Sequence, residues 1–335
     1  MRRQMIQVLH IGDPGAVARY SANCPLYREA AVTEAPDGHP VAEYLAAGRD
    51  ASFLIVDAIQ EVPAALIDGM PNLRLIHSEG VAYNRIDCEA ASARGIYVCN
   101  SRGMNAGAVA EQTILLMLGC LKNVTGNDRA VREGRQMEVK MGYVERGNLL
   151  ELSGLSVGLV GFGDIAKRTA VLLRAFGVRR IFCTRRHPLT REEEETYGVQ
   201  QVGLPELLTK SRIVSLHLPV TRETARLADA DFFAKMQDGA YFINTSRGEL
   251  VDDAALAGAL RSGKLTMAGL DTLDGEPVGP DHYLLRQEDL QVKILYSPHI
   301  GGVTGASFQR SYAMIWDDIS SVLAGRCPER VVNDL

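Results

Sequence analysis

The segment Gly158-Leu159-Val160-Gly161-Phe162-Gly163-Asp164-Ile165-Ala166 carries a β-rich run into a helical one across two nearly adjacent glycines. Leu155 to Val160 reads as a strand, while Ile165, Thr169, Leu172, Leu173 and Phe176 recur at helical spacing. Gly161 permits the tight turn, Gly163 lets a pyrophosphate approach the backbone, and Ala166 is small enough for close helix–strand packing. Amides at the start of that helix face an anion with a favourable dipole. The motif alone discriminates weakly against a plain turn, so its context has to decide.

The context is a chain of alternating elements. Short apolar runs at Val8–Ile11, Phe53–Asp57, Leu73–His77 and Ile96–Cys99 predict strands, with helical stretches such as Val41–Ala47 between them. The alternation resumes at Val157–Val160, Ile181–Thr184, Ile213–Leu218, Ala240–Asn244, Thr266–Leu270 and Ile294–Ser297. That pattern implies βαβ units and parallel sheets, with the strand number of a doubly wound dinucleotide domain in the second half. Between the halves, Ala108 to Leu121 predicts a helix without a clear polar face, to be covered by a neighbouring domain or a second subunit. A last helical stretch, Ala306 to Leu323, is too short for a domain and is expected to return to the N-terminal one. The run Arg191-Glu192-Glu193-Glu194-Glu195 reads as a solvated helix face.

A length of 335 residues suits two domains, and a formal net charge of -5 argues against a nucleic-acid surface. No apolar run is long enough for a membrane helix, and Met1 to Ile6 holds no signal-peptide core. Six scattered cysteines (24, 88, 99, 120, 183, 327) form no CxxC pair, which suits reduced thiols in the cytoplasm rather than disulfides or zinc ligands. No metal-ligand spacing appears, and no metal is expected.

Three strand ends carry chemistry. Arg247 follows the run Gly239–Ile243 within Asn244-Thr245-Ser246-Arg247-Gly248-Glu249; Glu276 follows Asp271 after Ala268-Gly269-Leu270; His299 lies in Ser297-Pro298-His299-Ile300-Gly301-Gly302. Carboxyl ends of strands line the ligand crevice of an open α/β sheet. A guanidinium fork suits the carboxylate and carbonyl of a 2-oxo acid. A histidine suits protonation of the alkoxide left by hydride addition, and a neighbouring carboxylate orients and charges the imidazole.

These segments resemble the D-isomer-specific 2-hydroxyacid dehydrogenase family nearly end to end. The likeness covers Gly80-Val81-Ala82-Tyr83-Asn84-Arg85-Ile86-Asp87, Asn105 with Val109-Ala110-Glu111-Gln112-Thr113, the glycine turn, His217-Leu218-Pro219 with Thr224, and Asn244 to Asp252. It continues through Gly269 to Pro277 and Ser297 to Gly302. The resemblance implies two doubly wound α/β domains, a Rossmann cofactor domain (102–299) inserted in a flavodoxin-like substrate domain (1–101 plus 300–335). It makes Arg247 the substrate-binding residue, His299 the acid/base and Glu276 its partner. The amides of Gly80 and Val81 would hold the substrate carboxylate. The cofactor set is Gly161, Phe162, Gly163, Asp164 and Ile165, then Thr184, Arg185 and Arg186. His217, Leu218, Pro219, Thr224, Thr245, Ser246, Asp271 and Gly301 complete it.

At the end of the second strand of the cofactor domain, Thr184 fills the place where an NAD-preferring member carries an acid, and Arg185-Arg186 follow. NADP(H) is therefore favoured over NAD(H), as in glyoxylate and hydroxypyruvate reductases. Glu79, beside the Gly80-Val81 loop, counts against a dianionic inorganic substrate and is expected to face solvent without a role. The apolar helix and the Gly126–Gly134 region resemble the family's dimer arm and predict a homodimer. The alternative function is an NAD(P)-sensing, corepressor-like binding protein on the same fold.

Overall fold

Apolar runs broken by glycine and polar turns become strands in both halves of the chain. In the computed structural model, which describes residues 5–335, the chain divides into two units. One runs up to Asn105 and resumes at Val303–Leu335; the other is Ala106–Gly302. Part of the segment read for a signal-peptide core, Met1 to Gln4, lies outside the described residues.

The first unit holds β1 (Ile6–Ile11), β2 (Ala30–Ala35), β3 (Phe53–Val56), β4 (Leu75–Ser78) and β5 (Tyr97–Asn100) in one parallel sheet of order β2-β1-β3-β4-β5. Alternate side chains feed two cores. Leu9, Ile11, Leu54, Val56 and Ile76 share one face, and Val8, Phe53, Ile55 and Leu75 share the other. The helix Gly305–Leu323 covers the second face through Tyr312, Ile315, Trp316 and Ile319, so the C-terminal stretch does return to the first unit. The segment after β5 stays there too, because Ser101 Oγ bonds Ser311 Oγ at 2.7 Å and Arg310 Nε donates to Met104 O at 2.6 Å. The unit boundaries therefore fall a few residues beyond 101 and 299.

The second unit holds β6 (Ser156–Val160), β7 (Arg180–Thr184), β8 (Gln200–Gln201), β9 (Ile213–Leu216), β10 (Ala240–Asn244), β11 (Leu265–Leu270) and β12 (Ile294–Tyr296). All pair in parallel, in the order β12-β11-β10-β9-β6-β7-β8. This is a doubly wound sheet whose order reverses between β6 and β9. Val157, Leu159, Ile213 and Ile243 line one face; Val160, Val214, Leu216 and Phe242 line the other. β9 stops two residues short of the expected Leu218, ahead of Pro219, which has no N–H to give a ladder.

Much of the apolar helix is buried within its own unit, while Leu115 stays exposed. It runs from Ala106 to Leu121 and packs inside its own unit against the helix Asp164–Ala175 and strands β10 to β12. A Cβ on Gly119 would come within 2.4 Å of Leu295, and one on Gly269 within 3.0 Å of Leu116. These glycines let the helix lie close on the sheet.

Candidate active site

The reversal point of the second sheet is occupied by the glycine turn. Gly161 has φ +97°, and a Cβ there would stand 2.3 Å from His217 O, so only glycine fits. Its N–H donates to Thr184 Oγ1 at 3.0 Å, and His217 N donates to Val160 O at 2.8 Å. Thr184 thus spends an oxygen on holding the turn. Gly163 is exposed, with nothing within 4 Å of where its Cβ would sit, leaving a cradle at the start of the helix Asp164–Ala175. Phe162 turns the other way, into the core, with its ring edge-on to Tyr197 at 5.6 Å. Ile165 is half-buried and Asp164 is exposed in the first helical turn.

Beyond β7, Arg185 Nη1 lies 3.5 Å from Glu193 and Arg186 Nη2 lies 3.6 Å from Glu223, the latter pair largely in solvent. Glu193 also meets Lys167 at 3.3 Å and closes a capping box with Thr190. The acidic run is the solvated helix expected, except that this one carboxylate faces the basic turn.

His217 is half-buried as a residue, and both ring nitrogens are buried without a hydrogen-bond partner. Burial lowers its imidazole to about 4, so it is neutral near pH 7. Leu218 packs against the core, and Thr224 closes the next turn by donating to Pro219 O at 2.7 Å. The open Gly163 cradle and the two orphaned imidazole nitrogens beside the turn fit a nucleotide cofactor at this strand end.

Further along the sheet, fully buried Asn244 sets the Arg247 loop. Its Nδ2 donates to Arg247 O at 2.8 Å, and its Oδ1 accepts from Ser246 N at 3.0 Å. Ser246 Oγ donates to Leu216 O, and the Thr245 hydroxyl meets Thr113 Oγ1 at 2.9 Å. A Cβ on Gly248 would fall 1.9 Å from the Leu273 carbonyl carbon, so the loops after β10 and β11 touch through backbone. Arg247 itself is exposed, and its Nη1 donates to Ser246 O at 2.7 Å.

His299 adopts φ +56° and places Nδ1 2.5 Å from Glu276 Oε2. The other Glu276 oxygen accepts from Leu273 N at 2.7 Å. The carboxylate is thereby fixed from the loop after β11, and the histidine meets it through Nδ1 rather than Nε2. Asp271, nearly fully buried, holds the histidine's own loop. Its Oδ1 accepts from Ser297 Oγ at 2.5 Å and Ile300 N at 3.2 Å, and its Oδ2 accepts from Gly301 N at 2.8 Å. Gln112 donates to Ser297 Oγ at 2.8 Å. Sequence reasoning assigns Gln112 and Ser297 no role, although both lie within the segments that carry the resemblance.

In the first unit, Val81 is exposed, while the Gly80 N–H makes a long bond, 3.3 Å, to Ser78 Oγ. Glu79 contradicts its expectation of facing solvent. It is 6% exposed, accepts from His10 Nε2 at 2.8 Å, and takes a second bond from the Tyr312 hydroxyl on the same oxygen. Two donors make burial of the carboxylate tolerable.

Residues 114–301 match the family described as D-isomer specific 2-hydroxyacid dehydrogenase, NAD binding domain. The chain is 34% identical to a glyoxylate reductase of Thermofilum pendens over 306 residues, 90% of this chain and 87% of that one. Its structure is similar to the TT0316 protein of Thermus thermophilus, with a TM-score of 0.78 and 32% identity over 97% and 99% of the two chains. Apo D-mandelate dehydrogenase of Rhodotorula graminis superposes with a TM-score of 0.83 at 25% identity, covering 99% of each chain. The chain belongs to the D-isomer-specific 2-hydroxyacid dehydrogenases, pyridine-nucleotide-dependent oxidoreductases. Among the described residues no helix is long and apolar enough to cross a membrane, and no cluster of three or more His, Cys, Asp or Glu could hold a metal.

Proposed function

We propose that the chain interconverts a small 2-oxo acid and its D-2-hydroxy acid, with NADP(H) preferred over NAD(H). The observation that carries this reading is the His299–Glu276 contact at 2.5 Å, on the same sheet edge as exposed Arg247. The cofactor would be held by Gly161–Ile165, the Thr184–Arg186 turn, His217–Pro219 with Thr224, Thr245, Ser246, Asp271 and Gly301. When bound in reduced form, the nicotinamide supplies a hydride to the carbonyl carbon.

The chain's own residues do the rest. Arg247 offers two parallel N–H donors to the substrate carboxylate and carbonyl, and the Gly80–Val81 backbone offers further donors to the carboxylate. His299 Nε2 gives its proton to the carbonyl oxygen as negative charge develops there. Glu276 accepts from Nδ1, which fixes the ring's orientation and favours its charged form. Asp271 keeps Ser297, Ile300 and Gly301 in place around the histidine.

The NADP(H) preference rests on the missing carboxylate at Thr184 and on Arg185 and Arg186. Their partners Glu193 and Glu223 stand 3.5 and 3.6 Å away at the surface, weak pairs that a 2′-phosphate can displace. Free thiols throughout suit a reducing compartment, the cytoplasm. Exposed Val124, Val131, Met137, Met141 and Val144, on the helices Val124–Arg132 and Gln136–Arg146, fit docking of a second copy as a homodimer. A monomeric mass by light scattering at micromolar concentration would refute that dimer.

The test is oxidation of NADPH and, separately, NADH with glyoxylate, hydroxypyruvate, pyruvate and phenylpyruvate. Faster turnover with NADPH supports both parts of the reading. Turnover with NADH alone removes the 2′-phosphate assignment and keeps the reaction. Nucleotide binding with no turnover of any acid returns weight to the sensing protein.

A further inference from the structure

The carboxyl ends of four strands in the first unit gather an unusual set of charges. His10 of β1 is fully buried; its Nε2 is 2.8 Å from Glu79 Oε1 and its Nδ1 is 3.6 Å from Glu34 Oε1 at the end of β2. Asp57 follows β3, half-buried, its Oδ1 accepting from Ile59 N at 2.9 Å. The order of this sheet reverses between β1 and β3, so the cluster stands where an open α/β sheet opens its crevice.

The sum of these charges is negative. Asp13 is taken by Arg19 at 3.0 Å, which leaves one imidazole facing Glu34, Asp57 and Glu79. Tyr312 contributes only a neutral O–H. Burial raises the Asp57 carboxyl, and the nearby charges of Glu79 and Asp37 raise it further, against the pull of the Ile59 amide and His10. Burial and then the charge of Glu79 likewise push the Tyr312 phenol far up.

Glu79 cannot turn this charge away. Its N–H donates to Val56 O at 2.8 Å, its carbonyl accepts from Ser311 Oγ at 2.6 Å, and its side chain is locked by His10 and Tyr312. The next residue is Gly80, where a Cβ would meet Ala58 Cβ at 2.7 Å, so the loop is packed against the same floor. The carboxylate is therefore fixed on the residue that immediately precedes the amides assigned to the substrate carboxylate.

We propose that Glu79, backed by Glu34 and Asp57, is a specificity-determining residue that restricts the enzyme to 2-oxo acids carrying a single negative charge. The inference rests on the reading of Gly80–Val81 as a carboxylate-binding loop. One carboxylate is held by these amides strongly enough to outweigh the local repulsion. A second anionic group, as in a phosphorylated or dicarboxylic 2-oxo acid, meets that repulsion without further donors.

Oxamate and oxalate have nearly the same shape and differ by one charge, so their ratio of dissociation constants reads the field directly. Both are titrated into the full-length protein saturated with NADPH, following nucleotide fluorescence. Glu79→Gln should lower Kd(oxalate)/Kd(oxamate) about tenfold, the size of one partly screened charge interaction. Asp57→Asn should shift it the same way by less, and Glu79→Asp, which keeps the charge, should leave it close to wild type. Glu79→Gln and Asp57→Asn should also narrow the preference in kcat/KM for pyruvate over oxaloacetate, while Glu79→Asp should keep it. Equal weakening of both anions by Glu79→Gln, with the ratio unchanged, would mean that Glu79 only supports the fold and would overturn the inference alone. Failure of both anions to bind the wild-type protein would remove the carboxylate-binding loop, and the inference with it.

Discussion

At the scale of single residues, the proposed site ties Glu276 through both oxygens and His299 through one ring nitrogen. His299 spends Nδ1 on Glu276 and keeps Nε2; Glu276 spends its second oxygen on the Leu273 amide. Under the proposed mechanism, loss of His299 should cost more than loss of Glu276. His299→Ala is expected to lower kcat about a thousandfold, and Glu276→Gln about a hundredfold, with the cofactor affinity of both unchanged. Turnover by His299→Ala within tenfold of wild type would discard the acid/base assignment. His217 behaves oppositely, since it has no partner for either nitrogen. Its folded pKa, about 4, lies below the ordinary value of 6.5, so the unfolded chain binds a proton that the folded one refuses. Its contribution is intact above pH 6.5 and is lost as pH falls through the window down to about 4. The unfolding free energy of the nucleotide-free protein should drop by about 3 kcal/mol across that window from this residue alone. Denaturant melts of wild type and His217→Asn at several pH values measure it; identical slopes would show that His217 takes up its proton in the folded state.

At the scale of elements, the loops after the strands place the chemistry, and glycines let them do so. Gly248 is the sharpest case, because a methyl group there would fall on the Leu273–Asp274 peptide, with Leu273 C at 1.9 Å and Asp274 N at 2.1 Å. Backbone cannot swing aside as a side chain can, so Gly248→Ala must part the loops that carry Arg247 and Glu276. Such overpacking should cost about 2–3 kcal/mol in a urea melt and reduce kcat/KM more than a surface change of equal stability effect. Full stability in that variant would show that the two loops do not need their close contact. The strands themselves were largely legible, because short continuous apolar runs alternating with helical stretches mark strands buried on both faces of a parallel sheet. β10 begins and ends at Ala240 and Asn244, as the sequence pattern indicates. β2 was not legible: Ala30–Ala35 is half-buried to exposed and lies at the sheet edge, so it carries no continuous apolar signature. Gln200–Gln201 is an edge pair of two residues and leaves none either.

At the scale of the molecule, legibility depended on how far apart the partners lie in the chain. The Arg247, Glu276 and His299 segments could be assembled because each follows its own strand, and a parallel sheet puts strand ends on one edge. Glu79 could not be read locally: the groups that make its burial tolerable are His10 and Tyr312, at opposite ends of the sequence. Thr184 shows the same limit, since its bond to Gly161 N is set by the register Val160↔Thr184. The two units each fill both faces of their own sheet, through separate sets of core residues. A cofactor held by the residues assigned here contacts the second unit's glycine turn and strand ends, so its stabilisation should be local before it is global. Saturation with NADPH at a hundred times its dissociation constant should slow amide exchange in residues 156–175 and 213–219 by a factor approaching a hundred, equivalent to about 2.7 kcal/mol. Exchange in β1 to β3 of the first unit should change far less. Hydrogen-exchange mass spectrometry reads both regions in one experiment. Protection centred on β1 to β3, with the segment from Ser156 to Ala175 unchanged, would move the nucleotide to the first unit and leave the glycine turn without its ligand.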